Sequence, residues 1–435
     1  MTEDLLNYAE DLLRAAKAAG ADVAETSMGV GASVHVQRRL GKIEETERAE
    51  SRGLNLRVFV GKQNASVSSG AIDPAAFTRL AEQAVAMARV VPEDIYAEIP
   101  EAPPPMDASM LDLDDPHEPP MEVLISRAAA AEDAALAVAG ITNSEGASAG
   151  WGRSNVILAT SLGFAGLYTR SNHSVSATAI AGAGTAMQRD YDYSSAVHGE
   201  DLEDPAALGK RAADQALARL NPTRPKTGIV PVILHPRVSG SMLGHLSSAI
   251  NGAAVARGTS FLKEKMGAQI FSPEINIIDD PFRVRGRRSR AFDGEGQPGA
   301  KRAFIEDGVL TSWILATRSA NQLGLKTTGH AGGVSNFYLL PGKLTPDELT
   351  ADIAEGIFIT ELIGMGVNGI TGDYSRGAAG FMIRNGQLAE PVAEFTIAGN
   401  LLTMFAGLIP ANDLVFKRGT DAPTIRIDGM TLAGA

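Results

Sequence analysis

The sequence predicts an α+β protein, with an N-terminal domain of two helix, antiparallel-meander, helix units and a β-rich C-terminal domain that carries a few helices. Three observations predict it. In the first half of the 435 residues, segments with helical apolar spacing bracket long β-patterned runs, twice in succession. Two proline-bearing stretches interrupt the chain where neither helix nor central strand can form. Beyond the second of them, glycine-dense β-patterned runs dominate, and long antiparallel runs kept apart from helices read as α+β rather than doubly wound α/β.

Residues 4–18 place Leu5, Leu6, Ala9, Leu12, Leu13 and Ala16 on one helical face and stop at Gly20. Three or four strands follow, broken by turns at Gly41 and Gly61. A closing helix is expected over 72–90, with Asp73 as N-cap and Pro74 at the first helical position. The second unit repeats the order, with a helix over 121–138, strands through 141–181 and a helix over 205–220. Between the units, 92–120 holds eight of the 22 prolines together with many acids, and reads as an extended, exposed connector. The NPTRPKT segment at 221–227 marks the expected boundary between an N-terminal domain, 1–225, and a C-terminal domain, 226–435. Helices are expected in the latter over 239–254 and 345–355.

Composition narrows the function. With 44% apolar residues there is enough to fill two cores. Zero cysteines remove disulfides, thiolate metal sites and cysteine nucleophiles together. A net charge of −12 opposes binding along a phosphate backbone, so no direct nucleic-acid partner is expected. No apolar run is long enough to span a bilayer, and the start, MTEDLLNYAEDLL, is acidic and amphipathic, so no membrane partner and a cytoplasmic location are expected.

Several motifs carry a functional reading beside a structural one. His117-Glu118 is followed by Pro119 and Pro120 and cannot form a helical metal array, so it reads as connector. Gly364, Gly366 and Gly369 spell G-x-G-x-x-G, but the following residues continue as turns and strands rather than opening a helix. Ser241 and His245 stand four apart on a predicted helix, without a nucleophile elbow or a local acid to orient the imidazole. RVRGRRSR at 283–290 packs five arginines into eight residues and reads as a solvated, flexible loop able to meet an acidic partner surface.

The segment 231–262, PVILHPRVSGSMLGHLSSAINGAAVARGTSFL, resembles the zinc-site segment of the TldD/PmbA peptidase family with the zinc site missing. Where the metal-bearing branch has His-Glu-x-x-x-His, this chain has Gly244, His245 and Ala249. SAINGAAVARGTSFL at 248–262, GMGVNGITGDYSRGAAGFMIRNGQ at 364–387, EFTIAGNL at 394–401 and IRIDGMTLAG at 425–434 resemble the PmbA branch, also called TldE and labelled a modulator of DNA gyrase. That branch is the non-metal partner of the TldD subunit. The resemblance implies a subunit of a metallopeptidase complex acting on unfolded peptides, with no catalytic residue, metal or cofactor of its own. Its partners would be a TldD-like zinc peptidase subunit and a peptide substrate, with a homodimer when alone. The candidate contacts for substrate or partner are His245, Asn251, Arg257, Asp373, Tyr374 and Arg376, the last three in a loop where Asp373 and Arg376 would either line a cavity or pair with each other. Two other functions remain open at this level: an independent peptidase or hydrolase with an unrecognised site, and a gyrase-associated regulatory binding protein.

Overall fold

The computed structural model describes residues 2–104 and 107–435; Pro105 and Met106, inside the connector, lie outside the described residues. The first unit runs α1 (Thr2–Ala18), β1 (Val23–Arg39), β2 (Lys42–Val60), β3 (Gln63–Ser69) and α2 (Phe77–Ala88), and the second α3 (Met121–Leu136), β4 (Ile141–Thr160), β5 (Ala165–Ala181), β6 (Gln188–Ala196) and α4 (Pro205–Ala218). The two meanders do not stay separate. β1 pairs antiparallel with β4, from Glu25↔Thr160 to Arg38↔Ala147, giving one six-stranded sheet in the order β3-β2-β1-β4-β5-β6.

Strand parity decides which face the helices cover. Ala24, Met28, Val34 and Val36 on β1, and Ala149, Trp151, Ile157 and Ala159 on β4, all share one side. Both helix pairs therefore dock on that side. On the other, Leu158 joins Phe164 and meets Leu111, Leu113, Ala291 and Phe292. The connector is thus extended as expected but not simply exposed: Ala97 and Ile99 pack on Phe59, and Leu111 and Leu113 are buried, because their apolar side chains cover a sheet face that no helix covers.

The second half runs β7 (Gly228–Leu234), α5 (Pro236–Ala249), α6 (Gly252–Ala256), β8 (Ile277–Asp280), β9 (Arg302–Glu306), β10 (Val309–Leu310), α7 (Thr317–Leu323), β11 (Asn336–Leu339) and α8 (Pro346–Thr350). It continues with β12 (Glu355–Ile363), β13 (Asp373–Arg384), β14 (Gln387–Asn400), α9 (Leu401–Ala406), β15 (Leu408–Pro410), β16 (Thr420–Asp421) and β17 (Ile425–Ala433). One sheet has the order β14-β13-β12-β7-β17-β15, and a further β14–β17 pairing curls it back on itself. The other is β10-β9-β8-β11-β16. The α+β class is thus the observed one, with the β-rich character of the second half.

Three sequence expectations change. The helix expected over 239–254 is two helices, because Asn251 turns extended and its side chain accepts from the Ala253 N–H at 3.0 Å, while Gly252 N–H bonds the Ile314 carbonyl. The helix expected over 345–355 stops at Thr350 despite its Thr345/Glu348 capping box, since Glu355 already pairs with Arg384 as the start of β12. The helix expected over 72–90 opens as a 3₁₀ turn, Pro74–Ala76, with Asp73 accepting from Ala75 N–H.

Helices α3 and α4 approach through small residues. A Cβ at Gly209 would lie 1.8 Å from the Ala131 carbonyl oxygen, whereas one at Gly244 on α5 would meet nothing within 4 Å. Gly209→Ala is therefore expected to destabilise by roughly 1–3 kcal/mol by overpacking backbone against side chain. Gly244→Ala is expected to stabilise by up to about 1 kcal/mol through helix propensity alone. Midpoints of urea unfolding for the two variants check both signs.

Candidate functional site

β7 delivers the chain to α5. Its last residues, Val232, Ile233 and Leu234, are buried, and His235 then caps the helix by accepting the Arg237 N–H on Nδ1 at 3.0 Å, with Pro236 as the first helical residue. Acting as an acceptor, this imidazole must be neutral at Nδ1. Burial, with the Arg237 and Arg418 charges adding to it, lowers its pKa to about 4.

The spacing along α5 separates two faces. Ser239, Met242, Leu243, Leu246 and Ala249 point into the core shared with β7, β12 and β11, while Arg237, Ser241, Gly244, Ser247 and Ser248 line an open hollow. The serines spend their hydroxyls on their own helix: Ser241 donates to the Val238 carbonyl at 2.6 Å, and Ser247 and Ser248 to that of Gly244 at 3.0 and 2.9 Å. Ser241 is not bonded to His245, so these two residues do not form a nucleophile and base. The hollow floor is consequently short and polar.

His245 sits at the boundary of the two faces. Its ring meets that of Tyr374 edge-on, centroids 5.7 Å apart, and its Nε2, the Tyr374 hydroxyl, the Arg376 Nε and the Thr360 hydroxyl are all buried without a hydrogen-bond partner. Burial, with the Arg376 charge second, lowers the His245 pKa to about 4; burial likewise pushes the Tyr374 phenol up to about 12. Both groups are neutral near pH 7. Arg376 is the only charged member of this group of four, and it makes no salt bridge among the described residues.

The other candidates disperse. β13 alternates, so Tyr374 and Arg376 face inward while Asp373 faces out, where hydrogen bonds from Thr371 (2.7 Å) and Asn400 (3.2 Å) hold its carboxyl below the usual range. The Asp373–Arg376 pair does not form. Asn251 caps α6 and also lines the hollow beyond Ser248, whereas Arg257, at the α6 C-cap, is exposed and stands outside it. Gly364, Gly366 and Gly369 lie in the loop between β12 and β13, with no helix after them, and Glu118 pairs with Arg48.

The 283–290 segment is not the solvated loop its composition suggests. Arg283 stacks 3.3 Å over the Phe416 ring, and Arg285 pairs with Asp112, Glu200 and Asp201 at 2.6, 2.7 and 3.0 Å. Ser289 is fully buried. The Arg285 partners come from the connector and from the turn after β6, and that long-range charge complement is invisible in the local sequence. Arg170 and Arg418, which sequence reasoning passed over, meet Arg287 and Arg288 of that run around the α5 hollow. No local sequence signal marked either of them.

Among the described residues, no three of His, Cys, Asp and Glu lie close enough together to hold a metal ion. At the α5 positions, Gly244 and Ala249 offer no donor, and His245 faces Tyr374 and a cation rather than a carboxylate. A zinc site needs three or four such donors, so zinc does not fit here.

Family models match the chain in three blocks: the PmbA/TldA metallopeptidase domain 1 over 24–88, central domain over 114–220 and C-terminal domain over 227–434. The metalloprotease PmbA of Escherichia coli O157:H7 is 36% identical over 95% of this chain and 92% of its own length. A crystal structure from Bacteroides thetaiotaomicron, described as a candidate modulator of DNA gyrase, superposes with a TM-score of 0.91 at 25% identity, covering 99% of this chain and 98% of that one. TldE from Thermococcus kodakarensis shares the fold, with a TM-score of 0.85 at 19% identity, over 98% of this chain and 100% of its own.

The depressed His245 pKa sets a testable pH dependence. The unfolded chain takes up a proton near 6.5 and the folded chain near 4, so the contribution is complete above 6.5 and is lost as pH falls from 6.5 toward 4. Urea unfolding at pH 7.5 and pH 5 is expected to show a smaller acid-side loss for His245→Gln than for the parent chain.

Proposed function

The chain belongs to the PmbA/TldD metallopeptidase family, and on that premise we propose that it is the non-catalytic subunit of a two-component zinc peptidase. In this reading a TldD-like subunit holds the metal. This chain closes the chamber and admits unfolded peptide to it, in the cytoplasm, as a heteromer that gives way to a homodimer when the partner is absent. The reading keeps the division of the chain into 1–225 and 226–435, with assembly through the C-terminal half.

One observation carries it. The helix that matches the metal-bearing segment is retained, folded and open to a hollow, yet its three positions present no side chain, a neutral imidazole and a methyl group. Hydrolysing an amide near neutral pH needs an activated nucleophile and charge stabilisation, which zinc supplies by lowering the pKa of bound water to about 7. Nothing on α5 replaces that: Ser241 is tied to its own helix backbone, and His245 has neither an orienting acid nor a hydroxyl within hydrogen-bond reach. What remains at the site is a cavity with polar walls, suited to holding a chain rather than cutting it.

The purified chain is expected to contain no stoichiometric zinc by elemental analysis and to leave a fluorogenic peptide intact. Mixed with a TldD-like subunit it is expected to support cleavage that a chelator abolishes. About one zinc per chain, or chelator-resistant cleavage by this chain alone that disappears in His245→Ala or Ser241→Ala, would overturn the assignment in favour of an independent hydrolase.

A further inference from the structure

Two hollows along the exposed side of α5 and a third over β5 and β6 join into one cleft. Their volumes are about 510, 840 and 440 Å³. The first and second share Ser247, Ser248 and Arg288, the first and third share Arg287, and the second and third share Arg418. One wall is the β5–β6 surface of the first sheet, and the other is α5 with the turn at 287–290.

Eight arginines line this cleft; Arg189 and Arg237 pair with Glu145 and Asp190, which leaves six: Arg170, Arg287, Arg288, Arg290, Arg376 and Arg418. Among the described residues none of them pairs with a carboxylate. Arg170 donates to the carbonyls of Arg287 (2.5 Å) and Ser289, Arg287 to the Asn172 amide oxygen (3.3 Å), and Arg288 to the Thr420 hydroxyl (3.3 Å). Arg290 donates to the Gly333 carbonyl and Arg418 to that of Pro236 (3.3 Å), while the Arg376 Nε is buried with no partner.

The carboxylates nearby are committed elsewhere. Glu361 pairs with Arg219; Asp279 accepts from Ser335 (2.6 Å) and His330 (3.1 Å); Asp293 accepts from Ala331 N–H (2.8 Å); and Asp421 accepts from the N–H groups of Arg418 and Gly419, both at 2.9 Å. A guanidinium has five donors, and most in this cleft are unspent on protein. Burial lowers the pKa of Arg170, Arg287 and Arg290; neighbouring arginine charges add to it, and Asp421 at Arg287 and Asp279 and Asp293 at Arg290 oppose it. All three stay charged at neutral pH, because arginine begins so high. In a chain of net charge −12, a cluster of half-buried guanidinium groups without a direct carboxylate partner is one that a bound anion would stabilise.

We propose that this cleft binds the side-chain carboxylates of peptide segments rich in aspartate and glutamate. The proposal rests on the peptide-handling role above and adds to it the class of segment preferred. The guanidinium fork matches a carboxylate with two parallel hydrogen bonds, and six forks around joined hollows suit several acidic side chains on one extended chain. A nucleic acid carries its charge continuously along its length, and a chain of net charge −12 opposes binding beyond the cationic cluster itself.

The test is direct binding to the full chain, without partner or catalysis, so its outcome is separate from that of the zinc and cleavage measurements. Fluorescence anisotropy would compare a labelled, C-terminally amidated 15-residue Glu/Ser peptide with a Gln/Ser peptide and a Lys/Ser peptide of the same length. The acidic peptide is expected to bind at least about tenfold tighter than either, and less tightly as salt rises from about 0.05 to 0.5 M. Arg288→Glu, at an exposed position, and Arg376→Gln are each expected to weaken it about fivefold or more, with unchanged circular dichroism. Arg79→Gln, on the exposed side of α2, is expected to have no effect. Equal binding of neutral and acidic peptides would overturn the proposal. So would unchanged affinity in both cleft variants, tight binding of a neutral peptide through a free C-terminal carboxylate, or tighter binding of single-stranded oligonucleotide than of the acidic peptide.

Discussion

The cleft depends on how the 283–290 turn is held between the two halves of the chain. Arg170, in the middle of β5, donates into the turn's backbone carbonyls, and Arg285, within the turn, reaches back to Asp112, Glu200 and Asp201. These charge-assisted hydrogen bonds run in both directions across one seam. They fix the distance between the first sheet and α5. Phe292, edge-on to Phe164 and Tyr168, seals the same seam with apolar surface. Without this docking, the cationic side chains would stand apart in solvent, where a single arginine holds little.

The seam also explains why helices occupy only one face of the first sheet. Parity along β1 and β4 gives that face to α1 to α4, and the opposite face is left for the connector and the segment carrying Phe292. The proline-rich stretch is therefore a structural layer. Its apolar side chains cover sheet surface, and its Leu113 carbonyl accepts the Ser171 N–H of β5.

α5 stands open to a hollow and, among the described residues, presents no cluster of metal-binding side chains. Gly244 has open space above it, so nothing in the packing forbids a larger side chain there. The absence of a ligand is a property of the sequence, not a demand of the fold. His245 remains because it is packed: it meets Tyr374 edge-on, and burial together with Arg376 keeps it neutral. Its Nε2 is buried without a partner, beside the equally unpartnered Tyr374 hydroxyl and Arg376 Nε, and of the three residues Arg376 lines the cleft.

The sequence alone determined the α+β class, the two helix–meander–helix units with their turns at Gly41 and Gly61, and the family, because periodicity and residue identity are local properties. It misjudged the helix at 239–254, where the Asn251 side chain caps a new helix, and the one at 345–355, cut short by β12 pairing. It also read Arg283 to Arg290 as solvated. Only the tertiary structure decided that the two meanders fuse through β1 and β4, that Asp373 and Arg376 part company, and that arginines 206 positions apart between 170 and 376 face one cleft. The reason is physical: strand pairing across the chain and charge pairing across a seam depend on partners that no local window contains.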